Sequence, residues 1–312
     1  LSGNKDTIVL NNLNTNNKAT YTTDEDCSEC FITTWETTSN DESIEIGTYH
    51  ANSYGQYDYQ VDWEGNDNWE NFTGNAEHTY TNPGEHKVRI RGTFHALAIS
   101  TAYKGKIISI DQWGTIEWKT MRAAFKGCTN LTTYTASDSP DLSKVFDMRE
   151  MFRGARNFNG DLNSWNVSAV TNMNNMFANA FDFNGNISNW DVSSVTNMNS
   201  MFAYAYAFNG DISNWDVSSV TDMFRMFTRA WAFNQDLSTK TVNAGTSDEY
   251  EAWNVSSVTD MSYMFENASA FNQNIKDWNA SSVTDMSYMF QNASAFNGDI
   301  SSWDVSSVNN MQ

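Results

Sequence analysis

Phe208-Asn209-Gly210-Asp211-Ile212-Ser213-Asn214-Trp215-Asp216-Val217-Ser218-Ser219-Val220-Thr221 is one sentence of a text that this chain repeats. Its tryptophan recurs as Trp165, Trp190, Trp215, Trp253, Trp278 and Trp303, 25 residues apart except for one gap of 38. A Met-Phe pair starting at Met151, Met176, Met201, Met226, Met264 and Met289 and a Phe-Asn pair starting at Phe158, Phe183, Phe208, Phe233, Phe271 and Phe296 break at the same gap. One repeat therefore carries 13 extra residues, lying between Leu237 and Trp253. A unit of 25 residues cannot bury its own apolar face, so the copies are expected to stack and share a continuous core. Function is then expected on a surface rather than in a pocket.

Within a unit, Ile212, Trp215 and Val217 fall at i, i+3 and i+5, the inward pattern of the strand in a leucine-rich repeat. Met223, Met226, Phe227 and Ala230 follow at spacings of three and four, which predicts a short helical or 3₁₀ turn on the opposite wall. The fold expectation is a leucine-rich-repeat-like solenoid with one short strand and one helical or 3₁₀ turn per coil. The 14 methionines, all at or after Met121, read as core filling rather than as a copper site, since no histidine occurs after His95.

The run Phe-Asn-x-Asp-Ile-Ser-x-Trp-Asp-Val-Ser-Ser-Val-Thr-x-Met closely resembles the bacterial repeat called domain of unknown function 285 (DUF285), found in BspA-like leucine-rich-repeat surface proteins. The resemblance covers residues 141–312. Ile110 to Trp118, followed by Phe125, Cys128 and Leu131, looks like the usual lead-in, so 101–140 reads as degenerate capping repeats, with Pro140 where a tryptophan is expected. The resemblance implies extracellular, cell-surface display and binding of an extracellular protein or glycan, with no catalytic residues. A structural stalk, sheath or filament subunit that self-associates is the alternative, and an accessory region of a carbohydrate-active enzyme a third.

The first hundred residues differ in kind. Phe31 to Trp35, Ser43 to Ile46, Tyr57 to Trp63, His78 to Tyr80 and His86 to Ile90 are aromatic and β-branched segments between Gly, Asn, Asp and Pro turns, which predicts an antiparallel β-sandwich over 31–100. Tyr59 to Gly65, with His78-Thr79-Tyr80 and Gly84 to Ile90, resembles the polycystic-kidney-disease (PKD) type of Ig-like domain, which implies a spacer. It lacks that family's full Trp-Asp-Phe-Gly-Asp-Gly loop. Residues 1–30, rich in Asn and Thr, read as a polar linker or the tail of an upstream domain. With no initiating Met, and a stop in mid-repeat, the segment is expected to belong to something longer.

A formal charge of −20 with only 18 basic residues disfavours nucleic acid and anionic lipid. No apolar run of 18 residues exists, so no membrane insertion is expected of this segment. Cys27 and Cys30 can form a local disulfide or half a zinc site whose other half is missing, and Cys128 reads as a core thiol. His50, His78, His86 and His95 accompany no hydrolase, zincin or phosphate-loop motif, so the expectation is a protein that is not an enzyme.

Candidate binding residues come from rows and from the insertion. Asn166, Asp191, Asp216, Asn254, Asn279 and Asp304 follow the tryptophans and are expected to point outward as a ladder. Asn172, Asn197, Asp222, Asp260, Asp285 and Asn310 precede the methionines. The bland reading of both rows is that mixing Asp with Asn dilutes repulsion between coils. The sharper one is that they hold a ligand, or Ca²⁺ at Asp222, Asp260 and Asp285, with Asp62 and Glu64 as a second cation candidate. No other cofactor is implied. In the insertion, Lys240, Asp248, Glu249, Tyr250 and Glu251 are expected to stand out as a loop, either tolerated or carrying specificity. Asn159, Asn184, Asn209, Asn234, Asn272 and Asn297 read as an inward structural ladder satisfying backbone groups. Tyr204, Tyr206, Trp231, Tyr263 and Tyr288 lie outside the inward series, and the burial of Trp231 decides whether it extends the core.

Overall fold

The computed structural model describes residues 27–49 and 51–312. The linker expected over 1–30 therefore falls, for residues 1–26, outside the described residues, as does His50.

The N-terminal strands form where aromatic and β-branched residues alternate with polar ones: β1 (Phe31–Thr37), β2 (Glu42–Ile46), β3 (Asp58–Asp62), β4 (Glu70–Phe72), β5 (Ala76–Tyr80) and β6 (Gly84–Thr93). Two more follow, β7 (Ile107–Gln112) and β8 (Thr133–Tyr134). A six-stranded sheet runs β4-β3-β6-β1-β7-β8, and β2 pairs with β5 in a second sheet. The expected self-contained antiparallel sandwich over 31–100 needs correction. The larger sheet takes β7 and β8 from beyond residue 100, and β8 lies parallel to β7. Its core is also not separate. Phe31 stacks on Trp113 at 5.2 Å and meets Trp118 edge-on, and Trp113 meets Trp165 of the first full repeat at 5.3 Å. One buried apolar cluster extends from Phe31 to Trp303. Gly114, at φ +63°, closes the junction. A Cβ there would lie 2.3 Å from the Glu29 carbonyl oxygen, so only glycine permits this approach of two backbones.

The repeat region corrects the fold expectation more deeply: it is not a leucine-rich-repeat-like solenoid of strands and helical turns. The one described helix is α1 (Ala51–Tyr54), and past residue 140 the regular strands are β9 (Lys240–Val242) and β10 (Tyr250–Ala252), both in the insertion. What the repeats contain instead is a succession of four-residue turns. Trp215 N–H donates to Ile212 O (3.1 Å), Val220 to Val217 (2.9 Å), Met226 to Met223 (3.1 Å) and Ala230 to Phe227 (3.0 Å). The apolar residues sit at the two ends of each turn, which produces spacings of three without a strand or a helix.

A helix is ruled out by where the other N–H groups go. Met223, Arg225, Phe227 and Arg229 donate to Asp260, Ser262, Met264 and Glu266 of the next repeat, at 2.7–3.0 Å. An α-helix would consume those donors internally and leave nothing to join adjacent repeats. The alternation requires left-handed residues at Arg225 (φ 55°) and Arg229 (φ 58°), with counterparts at Glu150, Gly154, Asn175, Asn179, Ser200, Tyr204, Tyr263, Asn267, Tyr288 and Asn292. Single-residue parallel bridges join the row Asp147, Asn172, Asn197, Asp222, Asp260, Asp285 and Asn310.

Inside, rings stack along the array. Phe202 lies 5.7 Å from both Phe177 and Phe227, and 3.9 Å from Phe208 of its own repeat. From Trp190 onward the inward tryptophans Trp190, Trp215, Trp253, Trp278 and Trp303 each donate the indole N–H to a carbonyl of an earlier turn, as in Trp190 Nε1 to Leu162 O and Trp253 Nε1 to Ile212 O, both 2.8 Å. Met198, Met201, Met223 and Met226 are fully buried among these rings. Cys128 is buried likewise, and burial pushes its thiol up to about 12. No described helix is long and apolar enough to cross a membrane.

Candidate functional site

The 13-residue insertion leaves the repeat after Thr239 and returns at Trp253. Thr239 Oγ1 donates to Trp253 O (3.2 Å), and Trp253 N–H donates to Trp215 O (3.1 Å), so the tryptophan column resumes on the next level. Between them β9 and β10 form an antiparallel hairpin, with Tyr250 opposite Val242 and Ala252 opposite Lys240. Its loop is held by its own bonds. Thr246 Oγ1 donates to Asn243 O (2.7 Å), and Gly245 N–H donates to a Glu249 carboxylate oxygen (2.5 Å). Tyr250 Oη then donates to Asn214 O (2.6 Å), pinning the hairpin over the preceding repeats.

The hairpin and the tryptophan edge enclose a groove of about 550 Å³. Asp191 and Asp216 line one wall, and Asp248, Glu249 and Tyr250 the other; Ser188, Asn189 and Asn214 add neutral polar groups. No cationic side chain is among the lining residues. Asp191 Oδ1 accepts from Ser193 N–H (3.1 Å) and Asp216 Oδ1 from Ser218 N–H (3.0 Å), which fixes both carboxylates by turn geometry and leaves each Oδ2 without a partner among the described residues. Burial, and then the nearby charges of Asp216 and Asp191, raise the Tyr250 phenol above its ordinary value. It stays a neutral donor at physiological pH. A second depression, lined by Tyr134, Asp161, Asn163 and Ser164, shares Asn189 with the groove and extends it along the same edge.

Of the sequence candidates, Asp191, Asp216, Asp248, Glu249 and Tyr250 come together here. Lys240 does not: it faces Asp236 at 3.9 Å. Glu251 pairs with Thr241 inside the hairpin and lines no part of the groove, and Asp304 lies in the last repeat. There the Ser306 N–H and hydroxyl hold Asp304 below the ordinary carboxylate range. Sequence reasoning passed over Asn189, Asn214 and Asn243. Only the direction in which the hairpin folds selects them.

The cation candidates fare differently. Asp222 Oδ2 accepts from the Asn197 amide (3.2 Å), and Asp285 Oδ2 from the Asn310 amide (3.1 Å), so Asp next to Asn makes bonds between repeats. The Ser287 hydroxyl holds Asp285 below the usual range. Asp260 Oδ1 accepts from Ser262 N–H at 2.8 Å. In the N-terminal sheet the loop at Asp62 and Glu64 looks made for a cation and already contains one. Asp62 is fully buried, accepts the N–H groups of Glu64, Asn66 and Asp67, and receives the Arg89 guanidinium, which also reaches Asp67 Oδ1 (2.6 Å). Glu64 turns away, 3.8 Å from His78. Among the described residues, the one close group of three candidate metal ligands is Cys27, Glu29 and Cys30, and its two sulfurs are joined as a disulfide.

The asparagine ladder exists, but on the solvent side. Asn159 Oδ1 accepts Asn184 N–H (2.7 Å), Asn184 accepts Asn209, Asn209 accepts Asn234, Asn234 accepts Asn272, and Asn272 accepts Asn297, all within 3.0 Å. These residues are exposed, so the amides satisfy backbone donors from outside the core. A row the sequence reading missed does similar work: Asp161, Asn186, Asp211, Asp236, Asn274 and Asp299 each accept the N–H two residues on. The signal was present, as an Asp or Asn in every repeat two residues before a polar one.

Residues 97–187, 119–240 and 239–312 each match the family described as Mycoplasma protein of unknown function, DUF285. No curated protein and no solved structure matches the chain.

Proposed function

Because the chain belongs to the DUF285 family, we propose that it is a cell-surface protein, without catalysis of its own, whose repeats hold a recognition groove rigid beneath the inserted hairpin. The ligand is a cationic segment of an extracellular protein. The observation that carries this reading is the convergence of Asp191, Asp216, Asp248 and Glu249 on one groove with no lining cation. Two of these carboxylates sit on the array and two on an insertion that departs from its period. A lysine or arginine side chain entering the groove would meet carboxylate oxygens on both walls and the Tyr250 edge. Preorganisation supports it further, since Asp191, Asp216 and Glu249 are each held by an N–H group before any ligand arrives.

The test is direct binding of the full chain to arrayed matrix proteins and to Lys- and Arg-rich peptides at low and high salt. Saturable binding that weakens with salt and is lost in Asp191→Asn/Asp216→Asn is expected. Binding that the double substitution leaves intact would place recognition elsewhere, and absence of binding to every cationic probe would defeat the reading.

A further inference from the structure

A second column of rings stands outside the core. Arg156, Phe181, Tyr206 and Trp231 occupy the same position in four successive repeats, joined by backbone bonds from Asp182, Ala207 and Ala232 to the preceding level (3.0–3.2 Å). The Arg156 guanidinium lies 5.1 Å from the Phe181 ring centre, Phe181 lies 4.7 Å from Tyr206, and Tyr206 lies 4.0 Å from Trp231 with planes 7° apart. In the phenylalanine columns of the core, interior rings such as Phe202 and Phe208 carry a ring of the adjacent repeat on each face. The outer column ends differently. The next two repeats present Ser269 and Ser294 at this position, and Ser269 Oγ reaches only the Trp231 carbonyl (3.4 Å). Trp231 therefore has one face on Tyr206 and the other beside a side chain too small to cover an indole. It is 47% exposed, which settles that it does not extend the core.

We propose that the step formed by Trp231 and Ser269 is a stacking subsite for a neutral pyranose unit of a glycan. The C–H face of a hexopyranose carries partial positive charge because the ring oxygen and the hydroxyl oxygens withdraw electrons, and it meets the negative face of the indole, the complementarity that favours flat contacts on aromatic rings. Its depth is one repeat, the thickness of one ring. Two charged neighbours are already engaged: the Arg229 guanidinium lies 5.2 Å from the Tyr204 ring centre, and Glu266 Oε1 accepts from the Asn267 amide (2.9 Å). At the Trp231 position and two residues before it, the side chains of the two following levels are Asn267, Ser269, Asn292 and Ser294, all uncharged. They offer amide and hydroxyl groups to sugar hydroxyls and no countercharge to a uronate or a phosphate. A protein partner is disfavoured by size. A stable protein interface buries about 800 Å² per side around an apolar centre, whereas this strip is one ring wide and bounded by Arg156 and Ser269. The subsite shares no residue with the acidic groove and does not rest on that reading.

The test uses the full chain with cellohexaose, laminarihexaose and chitohexaose, followed by saturation-transfer NMR and titration. At least one is expected to bind with transfer concentrated on the ring C–H protons. Trp231→Ala should weaken it about tenfold or more, and Trp231→Phe less. Ser269→Phe, which continues the stack and covers the indole without removing it, should abolish binding while thermal unfolding stays unchanged. No binding of any hexasaccharide to the unmodified protein overturns the proposal. So does binding that survives Ser269→Phe, or binding of a Trp-Gly-Trp peptide in place of every sugar.

Discussion

Replacing Gly154 by Ala separates a turn-built repeat from a helical one by the sign of a stability change. Gly154 has φ +72° and is the third residue of the turn that runs from Phe152 to Ala155, and its N–H donates to Ala178 O of the next repeat at 2.8 Å. Space is no obstacle, since an added Cβ would find Gly127 Cα at 3.7 Å, an ordinary contact. The cost is therefore conformational, about 1–2 kcal/mol for a left-handed alanine, offset by about 0.4–1 kcal/mol from the smaller entropy of the unfolded chain. The net expectation is a loss of about 1 kcal/mol. Were this segment helical, the same change would gain about 1 kcal/mol. The equivalent position one repeat later is Asn179, at φ 59°, so the order there should be Gly at least as stable as Asn, and both above Ala. Urea unfolding followed by tryptophan fluorescence measures all of these. Alanine as the most stable residue at either position would refute the turn architecture.

Arg89→Met leaves the fully buried Asp62 without its counter-ion and should cost about 3–5 kcal/mol, read as a fall in the melting temperature of the N-terminal sheet. Phe202→Ala removes a ring stacked on three others and should cost about 3–5 kcal/mol, measured by denaturant unfolding. Glu42 is held down to about 2, first by the Lys106 ammonium (Nζ to Oε1 2.6 Å) and then by the Thr38 N–H. A carboxylate lowered on folding contributes stability that is present above its unfolded value and lost as pH falls through the folded one. Between pH 4.5 and about 2 the protein should therefore lose less stability as Glu42→Gln than as wild type, and parallel pH profiles would contradict this. Tyr250→Phe removes the bond to Asn214 O, worth about 1 kcal/mol, and should speed proteolytic nicking in the hairpin loop 243–249 while leaving the global melt in place.

The period, the site of the insertion and the buried identity of Trp215, Met223, Phe227 and Ala230 were all legible in the sequence, because stacking identical repeats forces identical residues inward. The strands β1, β2, β3, β5 and β6 fall on the aromatic and β-branched segments read as strands, whereas β4 (Glu70–Phe72) was not read. The local conformation of the repeat was not legible. Apolar residues three apart, as at Ile212 and Trp215 or Met223 and Met226, suit a helix and a chain of four-residue turns equally well. What decides between them is the destination of the Arg225 and Arg229 N–H groups, which side-chain spacing does not encode. The Asp62 loop was misjudged for a related reason: Arg89, which fills it, comes from β6, 27 residues away. The groove needed one fact absent from any pattern. The hairpin folds back over Asp216 and Asp191 rather than forward over Asn279.

Deleting residues 240–252 joins Thr239 to Trp253 and restores the 25-residue period, so the variant keeps every tryptophan, every ring stack and both Asp191 and Asp216 while losing one wall of the groove. Its affinity for the best cationic ligand of the full chain, compared by titration at equal salt, is the measurement that bears most directly on the proposed function. Loss of binding with an unchanged unfolding transition is the predicted result. Undiminished binding by the deletion variant would show that the hairpin is a tolerated insertion and that recognition lies elsewhere on the array.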